Sequence, residues 1–335
     1  MKGVNSIGRR QFLIVAGMLL ASPIVNAQRA ERRWRVGFLS LDTAKSEAGR
    51  QALELFPSAL GKLGYWEGRN LDIDWRWADG KSADLPELAA GLVRLPVDII
   101  VARTNAPIVA AKNATRSIPI VMLNGNYPVE VGLVENLAHP GGNLTGTSYI
   151  SPETLGKQLQ MLKEIVPRAR RVAFFGWGDT QTAQSQIVRA SLNHAADSLG
   201  MTVRYYDVQR PEEIGDELEK IAASGTDAVF YSGAPVLRTR TDQIMAFLRD
   251  RKLVSIAAIP TFAEAGGLVH YAPDVQEYYD RTASYVDRIL KGARAADLPI
   301  QQPTKFELVI NLRTAKAIGI TIPPAILVRA NKVIE

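Results

Sequence analysis

The chain has 335 residues and an ordinary globular composition, with 47% hydrophobic, 22% charged and 7% aromatic residues, which leaves room for two lobes. Its net charge is +6, but Lys2, Arg9 and Arg10 supply three of those charges. The rest is nearly balanced, which excludes a phosphate-tracking surface for nucleic acid. The chain has no cysteine, which excludes disulfides, thiol catalysis, Cys-ligated metal and a lipidated N-terminal cysteine.

Residues 1–27 have the pattern of a cleaved signal peptide. A basic head ending in Arg9-Arg10 precedes an apolar run over residues 12–25, which is shorter than the roughly 20 residues that cross a bilayer. Small residues around Ala27 suit a cleavage site. Residues 9–13 (RRQFL) match the twin-arginine consensus, and an ordinary Sec signal with two arginines is the alternative. We predict an exported, unlipidated periplasmic protein.

From residue 34 onward, strand patterns alternate with helical patterns, which indicates right-handed βαβ units. Residues 71–75 alternate strictly, as in a half-exposed edge strand. Residues 97–102 and 118–123 are near-continuous apolar runs, typical of parallel strands buried on both faces. A helix is predicted from residue 85, with Asp84 and Glu87 as a capping box at its start.

A turn cluster at residues 139–143 interrupts this alternation, which then restarts. Asp274 and Glu277 are predicted to cap the last long helix. The sequence therefore predicts an α/β fold with two doubly wound parallel-sheet lobes. The further strands are predicted at 144–149, 171–175, 202–206, 227–231, 254–257 and 268–271, and the further helices at 152–166, 181–199, 211–223, 235–251 and from 274 to about 292.

No set of residues carries a recognisable catalytic chemistry. The histidines His139, His194 and His270 have no metal-ligand spacing partner. Glycine-rich nucleotide motifs and a G-x-S-x-G elbow are absent from the sequence. We therefore predict a protein that is not an enzyme and that holds neither cofactor nor metal.

Polar residues collect after the predicted strands, where ligands bind in open parallel sheets. Hydroxyls and helix N-terminal amides suit a carboxylate, Asp42 or Asp179 suits an ammonium group, and Tyr127 or Trp177 suits a flat group. The alternative is that these residues only cap turns. The predicted ligand-binding residues are Ser40, Asp42, Thr43, Thr104, Asn105, Asn124, Asn126, Tyr127, Trp177, Asp179, Thr180 and Ser232.

Several segments resemble the ABC transporter substrate-binding protein family of tryptophan/tyrosine-type importers. They are residues 117–121 (SIPIV), 139–146 (HPGGNLTG), 263–268 (AEAGGL), 285–293 (YVDRILKGA) and, most specifically, 302–312 (QPTKFELVINL). The resemblance implies a type I periplasmic-binding fold, whose lobes close on a ligand about a three-segment hinge. It places the crossings near residues 146–150, 271–274 and 303–306. Lobe one is then 34–148 plus 274–303, and lobe two is 149–273 plus 304–335.

The chain departs from this family's pattern at the predicted cleft. Many relatives have Asp-Pro where this chain has Tyr127-Pro128 and Ala234-Pro235, which weighs against a solute with a free ammonium group. The resemblance implies a monomer that captures a small organic solute (an amino acid, an aromatic or a carboxylate compound) for the membrane permease of an ABC importer. The alternatives are a ligand-sensing input module for a membrane signalling receptor and a periplasmic hydrolase, the latter opposed by the missing nucleophile–base set.

Overall fold

The computed structural model describes residues 32–149, 152–177, 182–259 and 261–335, with the backbone alone at Trp177 and Pro235. The predicted signal peptide and the predicted site residues Asp179 and Thr180 lie outside the described residues. Residues from Trp34 onward belong to one structural unit.

The order of elements confirms the predicted alternation of strands and helices. The strands are β1 Trp34–Ser40, β2 Leu71–Trp77, β3 Ile99–Arg103, β4 Ile120–Gly125, β5 Leu144–Ser148, β6 Arg171–Trp177, β7 Thr202–Val208, β8 Ala228–Tyr231, β9 Val254–Ala257, β10 Val269–Pro273, β11 Phe306–Asn311 and β12 Lys332–Ile334. The helices are α1 Glu47–Gly61, α2 Leu85–Arg94, α3 Asn105–Ala114, α4 Pro152–Ile165, α5 Ala183–Ser198, α6 Ile214–Ala223, α7 Pro235–Arg238, α8 Thr241–Asp250, α9 Val275–Leu290, α10 Leu312–Ile318 and α11 Pro324–Arg329.

The first sheet contains five parallel strands in the order β2-β1-β3-β4-β5. As predicted, β2 is an edge strand, and the apolar strands β3 and β4 are buried. Consecutive residues point to opposite faces. Phe38 therefore packs with Phe56 of α1 and Tyr279 of α9, while Leu39 packs with Leu92 of α2. Helices on both faces make this sheet doubly wound.

The second sheet has the order β12-β11-β10-β9-β8-β6-β7. Its strand pairs are parallel except for β10 and β11, which run antiparallel. Two parallel α/β sheets with helices around them confirm the predicted fold class. The antiparallel pair was not predicted. It arises because the chain returns from the first sheet before it enters β11.

Three predicted helix boundaries had different outcomes. Asp274 caps α9 as predicted, with its Oδ1 accepting a hydrogen bond from the Glu277 amide at 2.7 Å. The predicted capping box at Asp84 is wrong, because a 3-10 turn gives Asp84 a helical backbone (φ −84°, ψ −15°) and its side chain makes no capping hydrogen bond. A capping residue normally has an extended backbone. The predicted helix over 235–251 is divided into α7 and α8.

The chain passes between the two sheets three times, and the passing segments are hydrogen-bonded to one another. The Ser148 amide at the end of β5 donates to the Gln301 carbonyl at 3.0 Å, and the Asp274 amide after β10 donates to the Lys305 carbonyl at 3.0 Å. The Glu277 carboxylate accepts hydrogen bonds from the amides of Thr304 and Lys305. The three connections between the sheets therefore lie side by side.

Candidate ligand-binding site

The carboxyl ends of the strands in the first sheet bring several predicted residues to one edge. Ser40 ends β1 and lies in register with Trp77 of β2 on one side and Arg103 of β3 on the other. Thr104 caps the start of α3, and Asn124 is the penultimate residue of β4. Ligands in open parallel sheets bind beyond this edge, so the fold places these residues where a ligand site is expected.

Backbone strain is concentrated at this edge. Thr104 (φ 69°), Asn124 (φ 70°) and Tyr127 (φ 51°) are three of the five non-glycine residues with positive φ in the described part of the chain. The left-handed region is tolerated by asparagine but is unfavourable for a β-branched threonine. Such residues cost on the order of 1–3 kcal/mol each and cluster at ligand sites. Three of these strained residues therefore lie at the edge where the sequence predicts the ligand site.

Asn105 connects the edge of the first sheet with the second sheet's side of the molecule. Its side chain bonds the backbone of Asn126 twice, donating to the carbonyl at 2.9 Å and accepting from the amide at 2.7 Å. Its Nδ2 also lies 3.4 Å from Oε1 of Gln184 in α5, which belongs to the second sheet's side. Asn105 thus fixes the turn after β4 and contacts the opposite side of the cleft.

Ser40 and Asp42 form an ion-pair cluster with Arg103. The Ser40 hydroxyl donates to Asp42 Oδ2 at 3.0 Å and accepts from the Asp42 amide at 3.2 Å. Arg103 forms a salt bridge with the same carboxylate, and 12% of its side chain is exposed. Its Nε is buried without a hydrogen-bond partner among the described residues. Because Asp42 already has a cationic partner, its carboxylate is less available to an ammonium group than the sequence indicated.

Tyr127 lies away from open solvent. It is 2% exposed and belongs to the apolar cluster that contains Leu155 and Leu159 of α4. Its hydroxyl is buried without a partner among the described residues, and this burial, followed by the negative charges of Glu130 and Glu153, raises the pKa of the phenol. In this arrangement no face of the ring is open for stacking on a solute.

Thr43 and Ser232 are in capped turns. The Thr43 hydroxyl accepts a hydrogen bond from the Lys45 amide at 3.4 Å, and its carbonyl accepts one from the Ser46 hydroxyl at 2.8 Å. The half-buried Ser232 follows β8, and its hydroxyl accepts a hydrogen bond from the Ala234 amide at 3.3 Å. Trp177 ends β6, with its backbone in register with Val208 of β7. These residues lie at strand ends as predicted, and their contact with a ligand remains a prediction.

The predicted set omits Arg103, Ser148 and Tyr149, which lie at the same edge. The Tyr149 hydroxyl donates to the Ala258 carbonyl, on the second sheet's side, at 3.4 Å. Its ring packs edge-to-face on Tyr278 of α9 at 5.7 Å, and burial raises the pKa of Tyr149 to about 12. The Ser148 hydroxyl is buried without a partner among the described residues. In the sequence, Arg103 stands out only as a charged residue at the end of the apolar run that forms β3.

The part of the chain that the structure describes contains neither a candidate metal site nor a candidate membrane span. No three His, Asp or Glu side chains there are grouped so as to hold a metal ion. No described helix is both long enough and apolar enough to cross a bilayer.

The chain belongs to the ABC transporter substrate-binding protein family, because the family model of that description matches residues 47–334. Proteins of this family bind small-molecule substrates for ABC importers, and the fold is that of the type I periplasmic binding proteins. The class that was predicted from short motifs is therefore confirmed over most of the chain.

Individual relatives agree with this assignment. A tyrosine-binding protein of Clostridioides difficile is 27% identical over 286 residues, which cover 83% of this chain and 77% of the relative. A conserved domain protein from Vibrio cholerae superposes with a TM-score of 0.80 at 25% identity, covering 90% of this chain and 100% of that one. An ABC domain from Streptococcus pneumoniae in complex with L-Trp has a TM-score of 0.80 at 23% identity, again covering 90% and 100%.

Proposed function

We propose that this protein captures a small organic solute, which is an amino acid, an aromatic compound or a carboxylate compound, between two lobes and delivers it to the permease of an ABC importer. Lobe one comprises residues 34–148 plus 274–303, and lobe two comprises 149–273 plus 304–335. The observation that carries the proposal is the strained, polar edge of the first sheet at Thr104, Asn124 and Tyr127, on a chain of the substrate-binding family.

Contacts across the cleft support closure on a ligand. Asn105 approaches Gln184, and Tyr149 bonds the Ala258 carbonyl. The Thr261 hydroxyl lies 3.5 Å from the Glu47 carboxylate at the outer side. These described hydrogen bonds are all long, at 3.4–3.5 Å, and cost little to break. A hinged protein with such contacts opens readily, and a ligand that binds both lobes shifts its population to the closed form.

The same proposal describes a monomer without catalytic turnover and without a nucleic-acid partner. The support is that the sequence carries no recognisable catalytic motif and that its charge is nearly balanced beyond the basic head. Incubation of the purified protein with ester, phosphate, glycoside and amide reporters tests this point. Hydrolysis that copurifies with the protein and is lost on mutating one polar residue would show that it is an enzyme.

For localisation, we propose export to the periplasm through the twin-arginine route, with cleavage near Ala27. The support is the RRQFL motif ahead of a short apolar run. Fractionation of cells that carry the Arg9→Lys, Arg10→Lys double variant tests the route. Normal periplasmic accumulation of that variant would leave Sec export as the explanation.

Calorimetric titration of two cleft variants tests the proposed site. We expect Trp177→Ala and Thr104→Ala to remain folded by circular dichroism, because both residues end strands or begin helices at the cleft. Loss of a ring contact worth about 0.5–1.5 kcal/mol should weaken solute binding by roughly two- to tenfold in Trp177→Ala. Trp66→Ala is the matched control, since Trp66 is 53% exposed on the loop after α1.

The affinities of the folded variants show whether the solute binds at the proposed cleft residues. Unchanged affinity in both folded cleft variants would mean that the solute contacts other residues. A weaker affinity in the Trp66→Ala control as well would show that the effect is not specific to the cleft.

A further inference from the structure

A pocket of about 730 Å³ lies at the β2 end of the same sheet edge. It is a wide, open groove rather than an enclosed cavity. Its wall combines the loop after β1 with the end of the edge strand, and it includes Thr43, Lys45, Trp75, Arg76, Trp77 and Asp79. None of the predicted site residues except Thr43 is part of it.

Two tryptophans form the aromatic wall of this pocket. Trp75 and Trp77 stack with their ring centroids 5.6 Å apart and their planes 4° apart. Trp75 packs 4.6 Å from the ring of the fully buried Phe38, which anchors it. Trp77 is two residues beyond Trp75 along the chain and is the last residue of β2. Since residues two apart on a strand share a face, the pair presents a preformed indole surface at the cleft edge.

The backbone register ties this surface to the ion-pair cluster. Trp77 is opposite Ser40, and Ser40 is opposite Arg103. Neighbouring strands lie about 4.8 Å apart, so Trp77 and Arg103 are separated by two strand spacings. The pocket wall at Trp77 is therefore two strands away from Arg103, and between them lies Ser40, which is fully buried and bonded to Asp42.

The pocket wall contains an exposed cation, Lys45. Lys45 is exposed and has no ion-pair partner among the described residues, and Arg76 lies 3.8 Å from Asp74 in a loose pair. Asp79 is the opposing carboxylate in the wall. Asp42, close by, is already held by Arg103. Lys45 is thus the cation of this wall that an anionic solute can reach without first displacing an acidic side chain.

We propose that this pocket is the ring-binding end of the solute site, with Trp77 as the stacking surface and Lys45 as the partner of the solute's carboxylate. The solute class is accordingly a flat aromatic carboxylate, with no requirement for an ammonium group. The inference rests on the proposed function and adds Trp77 to Trp177 as an aromatic contact of the solute, in place of the buried Tyr127.

Titration with 3-phenylpropionate and its uncharged amide, 3-phenylpropionamide, tests the inference. The wild-type protein should prefer the acid by about three- to fivefold at low salt, as expected for one exposed ion pair. Lys45→Gln should remove most of this preference, and Trp77→Leu should weaken both probes by about five- to tenfold. Trp77→Phe, which keeps an aromatic ring on the strand, should restore most of the affinity.

Two control variants accompany the titration. Trp66→Leu and Arg94→Gln remove an exposed indole and an exposed cation elsewhere and should bind as the wild type does. Equal binding of acid and amide by the wild type, or unchanged affinity in Trp77→Leu, would overturn the inference. Binding of some other solute but neither probe would overturn it too and leave the proposed function intact. Failure to bind any small solute would overturn the proposed function itself.

Discussion

Replacing Gly146 with alanine is expected to destabilise the protein by more than about 3 kcal/mol, because the substitution combines backbone strain with a steric clash. Gly146 lies in β5 with φ at 128°, a conformation that a residue with a Cβ rarely adopts. An added Cβ would lie 2.4 Å from the carbonyl oxygen and 2.5 Å from the nitrogen of Met122. Met122 is the parallel partner of Gly146 in β4, so the crowding atoms are backbone atoms, which no rotamer change relieves.

Urea unfolding of Gly146→Ala and Gly142→Ala tests this prediction. Gly142 has a similar left-handed backbone, with φ at 59°, and an added methyl group there would point into open space. Its substitution should therefore cost only about 1 kcal/mol, the usual penalty for alanine at positive φ. Equal unfolding midpoints for the two variants would show that the approach of β5 to β4 is not as close as described.

Acidification from about pH 6.5 to about pH 4 is expected to remove about 3 kcal/mol of stability through His270 alone. His270 lies in β10, is 1% exposed and has an Nδ1 without a partner among the described residues. Burial lowers its pKa from 6.5 to about 4, even though Glu264 and a backbone hydrogen bond with Ile259 favour the charged form. The unfolded chain therefore binds the proton first as the pH falls, and the contribution of the neutral ring is lost over this interval.

Neighbouring charges modify the size of this effect. Glu307 has its Oε2 3.9 Å from Nε2 of His270. Burial, then the charges of Asp274 and Glu264, raise the pKa of Glu307, while Lys332 opposes them. Protonation of that carboxylate is thus favoured in the folded state and offsets part of the loss at the acid end of the interval.

Unfolding free energies of the wild type, His270→Gln and His194→Gln between pH 4 and pH 7.5 check the prediction. The His270→Gln variant should lose much of the acid dependence, because glutamine does not titrate. His194 is exposed on α5, and its replacement should leave the dependence as it is. An identical slope in all three proteins would contradict a neutral buried His270.

The sequence predicts the fold well because its signals are local. The apolar runs that become β3 and β4 and the strict alternation of β2 each identify a strand without reference to the rest of the chain. Elements that depend on distant partners were missed. The antiparallel strand β11 pairs with β10 only after the chain has returned from the first sheet. At Asp84, the residues suit a cap, but the preceding 3-10 turn decides the backbone.

In the candidate site, too, local features were predicted and contacts between distant residues were not. Ser40, Thr104 and Asn124 follow predicted strands, so the rule that ligands bind at strand ends locates them. The salt bridge of Asp42 to Arg103 joins residues 61 positions apart and was not visible in the sequence. The burial of Tyr127 against Leu155 depends likewise on how the turn after β4 packs on α4. A position at a strand end predicts where a residue lies in the fold. Tertiary packing decides what its side chain contacts.

Thermal unfolding of the protein from residue 28 onward, in the presence of amino acids, aromatic carboxylates and purines, tests the central claim most directly. A solute that binds the folded protein at 100 times its Kd should add about 2.7 kcal/mol of stability. The account predicts such a shift for at least one aromatic or carboxylate-bearing solute, with a size that grows with the logarithm of solute concentration. An unchanged unfolding temperature with every solute, at concentrations up to the millimolar range, would contradict a solute-binding role.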